Sequence, residues 1–157
     1  MLRHLPPLLL LSLLMACYPG ASARVNLQDY TREAMGLLSD DVTCVRLVEQ
    51  WEIKGSPAAV TMPNKCIIYV QDAMQQMYDR FGPGAVLGIA AHEAGHLLLH
   101  DMGTPVWIAQ LEADEMAGCA LARSRYRVGD YLDALESISS DPTPRIEATM
   151  RGVDRCD

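Results

Sequence analysis

The stretch Ala85-Val86-Leu87-Gly88-Ile89-Ala90-Ala91-His92-Glu93-Ala94-Gly95-His96-Leu97-Leu98-Leu99-His100 decides how this chain is read. It is the longest apolar-periodic segment, and its spacing predicts a helix buried on nearly every side. Residues four apart on a helix share a face, so the imidazoles of His92 and His96 can reach one ion. Neutral imidazole suits zinc. Glu93 stands about 100° round the helix from His92, near enough to contact a water at the metal without binding the metal tightly. A glutamate buried without a partner is costly, which favours a purpose for it. The pattern therefore points to zinc held by His92 and His96, with Glu93 as general base on the activated water. His100 falls at the helix end, where an imidazolium favours the C-terminal dipole, and a structural role is expected for it rather than a ligand role.

Outward from this helix the elements follow from periodicity and breakers. Before it, Leu27, Tyr30, Ala34, Leu37 and Leu38 predict a helix over 26–39. Residues 42–53 are rich in Val, Trp and Ile and fit a strand, and Cys66-Ile67-Ile68-Tyr69-Val70 is the best strand in the chain. Gly55-Ser56-Pro57 and Met62-Pro63-Asn64 read as turns. Asp72 is expected to cap a helix running to Tyr78 or Arg80, broken by Phe81-Gly82-Pro83-Gly84. Met74 and Met77 are expected in the core. After the long helix, Gly103 and Pro105 end it, and Trp107 to Arg123 predicts a second strong helix. Asp130 is expected to cap a third through Ile138, and Asp141-Pro142-Thr143-Pro144 to open a short last one. The two tryptophans, Trp51 and Trp107, are expected in core or rim packing. The order is that of an α+β domain.

Composition sets the limits. The chain has 157 residues, 50% hydrophobic and 21% charged, which fits one globular domain and excludes a disordered chain. The net charge is −7, and the Arg123, Arg125, Arg127 cluster reads as a solvated helix end, so no nucleic-acid partner is expected. Residues 1–23 read as a signal peptide: Arg3, then an apolar run from Leu8 to Met15 too short for a comfortable span. Two cleavage signals compete. Leu14-Met15-Ala16-Cys17 resembles a lipobox, with Cys17 lipidated as a membrane anchor, whereas Ala21-Ser22-Ala23 is a small-x-small site. Either places the mature domain, 24–157, outside the cytoplasm, as a periplasmic or membrane-anchored lipoprotein or a secreted protein. Four cysteines then remain, and an exported chain is expected to pair them, with Cys44–Cys66 and Cys119–Cys156 favoured.

The segment 85–93 is similar to the active-site helix of soluble gluzincin metallopeptidases related to the HtpX and CAAX-prenyl-protease group. Gln110-Leu111-Glu112-Ala113-Asp114-Glu115-Met116-Ala117-Gly118 resembles that group's second, Glu-x-x-Ala-Asp-like helix. Ser140-Asp141-Pro142 with Arg145-Ile146 resembles its Thr-His-Pro and Arg-Ile tail. The likeness covers roughly residues 65–152. It implies a small zincin-like α+β domain, mostly helical, with a short sheet beside the active-site helix. It also implies Zn2+ as cofactor, a peptide or protein substrate, and support of a ligand histidine by Asp114.

Two positions depart from that pattern. The family's third zinc ligand is a glutamate four residues before the aspartate, and here that position is Gln110; the tail's histidine falls at Asp141. Gln110 offers a neutral amide oxygen, a weaker ligand than carboxylate. Glu112 is the runner-up, but it lies two residues from both Gln110 and Asp114, near the opposite helix face. Water is a third occupant. Glu112 and Glu115 otherwise read as solvated surface acids. The expected function is an exported zinc metallopeptidase that hydrolyses peptide bonds, and the alternative is a catalytically impaired pseudo-peptidase serving as a cell-envelope binding lipoprotein.

Overall fold

The computed structural model describes residues 24–38, 44–48, 59–62, 66–99 and 105–157. In chain order these form α1 (Leu27–Leu38), β1 (Cys44–Val48), β2 (Ala59–Met62), β3 (Cys66–Val70), α2 (Gln71–Phe81), α3 (Pro83–Leu99), α4 (Val106–Ala122), α5 (Val128–Ile138) and α6 (Thr143–Cys156). The domain is α+β and mostly helical, with a small three-stranded sheet in the order β1-β3-β2. β1 runs parallel to β3 and β2 antiparallel to it. The leader with Cys17, His100 and Trp51 lie outside the described residues.

α3 is the axis of the molecule. From Gly84 to Gly95 every residue is buried, because α1, α2, α4, α5 and β2 all pack on it. Small side chains make such crowding feasible. A Cβ on Gly88 would run into the Tyr131 ring, and one on Gly95 would press on Ala113 of α4 at 3.2 Å. Gly95 thus lets α4 approach closely at the level of the two histidines. One core cluster joins Leu27, Ile67, Tyr69, Met74, Leu87, Leu121, Tyr131 and Leu135, with Met77 packed against it.

Several local expectations are corrected. α2 starts directly from β3, with Val70 at its cap position and no side-chain cap, so Asp72 sits in the first turn instead. Gly82 alone makes the break: its φ of 103° suits glycine, and α3 starts at Pro83, whose fixed φ is preorganised for a first helical position. α5 starts at Val128, and the buried Asp130 carboxylate does not cap it. Asp130 Oδ2 accepts the Gly84 N–H at 3.2 Å, placing a negative charge at the N-terminus of α3. β2 lies between the two segments read as turns, at residues to which no element was assigned, and takes in Met62 of the second. The last helix is 14 residues, not short. Trp107 is 66% exposed at the start of α4, not packed in a core. Arg123, Arg125 and Arg127 are exposed.

The longest helix contact is that of α4 with α6. A Cβ on Gly118 would overlap the Thr149 carbonyl, and one on Gly152 the Glu115 carbonyl, so the two backbones nearly touch. A disulfide between Cys119 and Cys156, Cα atoms 5.1 Å apart, ties the same pair. Glu115 is half-buried there and paired with Arg155 at 2.5 Å and Arg151 at 3.8 Å, so it is not a purely solvated acid. Cys66 is disulfide-bonded as well; its register partner on β1 is Cys44, whose side chain lies outside the described set. Gly118→Ala is expected to cost roughly 1–3 kcal/mol, because overpacking against backbone cannot be relieved by a rotamer change. Urea unfolding followed by circular dichroism reads this, and an unchanged midpoint would contradict the close crossing.

Candidate metal and catalytic site

α3 and α4 build the site between them. His92 and His96 lie one turn apart on α3, their rings edge to face with centroids 4.7 Å apart. The His96 Nε2 to His92 Nε2 distance is 3.2 Å. Gln110 on α4 completes the trio, with Oε1 3.1 Å from His92 Nε2 and Nε2 3.1 Å from His96 Nε2. A tetrahedral zinc with bonds of 2.0–2.1 Å sets its ligand atoms about 3.3 Å apart, close to the spacing of the two imidazole Nε2 atoms and to that of His92 Nε2 from Gln110 Oε1. Rotation of the Gln110 amide would turn its oxygen to either imidazole. Among the described residues no group of three or more His, Cys, Asp and Glu side chains is placed to hold a metal ion; the trio here is completed only by an amide.

Behind His92 stands Asp114, one helical turn beyond Gln110 and fully buried. Its carboxylate faces His92 Nδ1 at 2.8 Å and accepts the Tyr131 hydroxyl at 2.8 Å. Arg145 of α6 adds a two-pronged contact, Nε to Oδ2 at 2.7 Å and Nη2 to Oδ1 at 2.9 Å. Burial pushes the Asp114 carboxyl up, but the hydrogen bonds and charges of His92 and Arg145 outweigh it and hold the group below its ordinary value. Burial, then the nearby Asp114 charge, pushes the Tyr131 hydroxyl well above its usual range. Asp114 is thus an ionised acceptor, and the His92 Nδ1–H donates to it. The contact fixes the ring orientation of His92 and leaves its Nε2 facing His96 and Gln110.

Glu93 is buried next to His92 on α3. The Thr61 hydroxyl of β2 lies 2.7 Å from Glu93 Oε2 and 2.8 Å from the Glu93 main-chain oxygen. Glu112 is exposed, while Gln110 takes the position against the histidines. Asp141 is exposed in the turn before α6. Sequence reasoning missed Thr61 and Tyr131 altogether and had Arg145 only as part of a tail motif. Nothing local marks the first two, since their partners lie 32 and 17 residues away.

No family model matches the chain, no curated protein is significantly similar to it, and no solved structure matches it. The likeness to gluzincins therefore rests on the sequence motifs alone.

Proposed function

We propose that this chain is an exported, zincin-like zinc metallopeptidase that hydrolyses peptide bonds. The observation that supports it most is the convergence of His92 Nε2, His96 Nε2 and the Gln110 amide within 3.2 Å of one another, with an ionised Asp114 behind His92. In this reading His92, His96 and Gln110 hold Zn2+, which when bound supplies polarisation of a carbonyl and acidification of water. Asp114 keeps the His92 Nδ1 proton in place and the Nε2 lone pair free. Glu93 has Oε2 engaged by Thr61; Oε1 accepts the proton of the attacking water, and the carboxyl then delivers it to the leaving amine. Burial of Glu93 among α3 and β2 keeps bulk water from competing.

The glutamine supports a second reading, a pseudo-peptidase with weak or no zinc and a binding role in the cell envelope. Metal analysis of protein purified without added zinc, followed by a peptidase assay with zinc added, separates the two. Zinc bound and peptides cleaved supports the first reading; zinc bound without cleavage, or no zinc under either condition, overturns it in favour of the second. Export belongs to the same proposal. Intact-mass measurement of the membrane fraction is expected to find a lipidated chain starting at Cys17, and an unacylated chain starting at Arg24 would instead indicate ordinary signal-peptide cleavage.

Gln110→Glu is expected to tighten zinc at least about 10–100-fold, roughly 1.4–2.7 kcal/mol or more, because a carboxylate replaces a neutral amide at the ion and residues that merely support a ligand already change affinity by that much. Glu112→Gln is expected to change zinc affinity less than about twofold, since a solvated charge on the far face is screened. Chelator competition measures both. Loss of zinc in Glu112→Gln with no change in Gln110→Glu would mean that α4 turns a different face to the metal.

A further inference from the structure

Thr61 is a polar residue on the buried face of the sheet. Ala59 and Thr61 fall on one side of β2, across from Tyr69 and Ile67 of β3. Ala59, Ile67 and Tyr69 are all buried. Valine has nearly the shape of threonine and buries without needing a hydrogen bond, so packing alone does not account for a threonine here. The other hydroxyl on this face, that of Tyr69, is matched by Thr31 at 2.7 Å. The Thr61 hydroxyl is matched by Glu93, twice: by the carboxylate oxygen Oε2 and by the main-chain oxygen of the same residue.

A single hydroxyl hydrogen thus serves two acceptors of one residue, its side-chain carboxyl oxygen and its main-chain oxygen. The contact ties the end of a flexible glutamate to its own backbone. A free glutamate side chain samples many rotamers, and fixing it costs conformational entropy that a preformed contact has already met. The clamp is rigidly based. Thr61 pairs in register with the fully buried Ile67, and the neighbouring pair ends on the disulfide-bonded Cys66.

We propose that Thr61 is a positioning residue for the general base: its hydroxyl fixes the Glu93 carboxylate, and the register of β2 on β3 sets where that carboxylate stands. This rests on the reading of Glu93 as general base. Thr61→Val keeps the shape and removes the donor, and Thr61→Ser keeps the donor. For the zinc-loaded mature chain acting on a mixed-sequence fluorogenic peptide library, Thr61→Val is expected to lower kcat about 10–100-fold with KM and zinc affinity within about twofold. Thr61→Ser is expected to recover kcat to within about threefold of wild type.

Crystal structures of the metal-free wild type and Thr61→Val supply a readout that needs no activity, the side-chain torsions of Glu93. A Glu93 that leaves its position in Thr61→Val supports the proposal, even if the wild type cleaves no peptide; in that case the peptidase reading falls and the clamp stands. Unchanged Glu93 torsions together with unchanged kcat overturn it. So does a fall in kcat that serine fails to rescue and that zinc affinity follows, because the effect would then run through the metal or the fold.

Discussion

Arg145→Met lowers the unfolding free energy by about 3–5 kcal/mol, the usual cost of removing one partner from a buried ion pair. Asp114 has no exposed surface, and Arg145 supplies two of the hydrogen bonds that its carboxylate receives. Without the guanidinium, the carboxylate keeps only the contacts of His92 and Tyr131. Methionine retains much of the arginine stem's packing, so the loss reports the charge rather than a cavity. The lower end of the range is expected, because the Arg145 side chain is 21% exposed and part of its interaction is already screened by water. Asp114→Asn in the same background should restore part of the loss, since an amide buried without its arginine is less costly than a carboxylate. Urea denaturation of the two single variants and the double variant closes the cycle. Strict additivity would show that Arg145 acts elsewhere than on Asp114.

This ion pair also shows what was legible in the sequence. The α3 helix was, because so long an apolar-periodic stretch exceeds the usual length of a strand and reads as a helix. The relation of Gln110 to Asp114 was, because a four-residue separation on a helix places both on one face whatever the tertiary structure; the same periodicity kept Glu112 off that face. Asp130 was misassigned for an instructive reason. An aspartate two residues into a helix looks like a cap, yet here it serves the N-terminus of a different helix, and only the packing of α5 on α3 reveals which. β2 is four residues between turn signals, too short for alternation to register. Thr61 and Tyr131 hydrogen-bond across the fold, and such contacts leave no periodic trace. Trp107 was expected in core or rim packing, but it lies in the first turn of α4, open to solvent with Val106 beside it.

His96→Ala and His92→Ala are both expected to abolish zinc retention, lowering affinity on the order of a thousandfold or more, about 4 kcal/mol. Loss of a residue that merely supports a ligand already costs 10–100-fold, and loss of a ligand must exceed that. The two variants differ in what else they disturb. His92→Ala also removes a donor from the buried Asp114, so a drop in stability should accompany the loss of metal. His96 is half-buried and meets His92 and Gln110 across the ligand trio, so His96→Ala should lose zinc with a smaller change in melting temperature. That contrast separates a metal ligand from a structural histidine, which one variant alone would not. His100→Ala is the control: it stands four residues after His96 in the sequence, and zinc stoichiometry is expected to be unchanged. Metal content and melting temperature of the three variants, each prepared without added zinc, decide the matter. Equal retention of zinc in all three would remove the α3 histidines from the metal site and with them the hydrolytic reading.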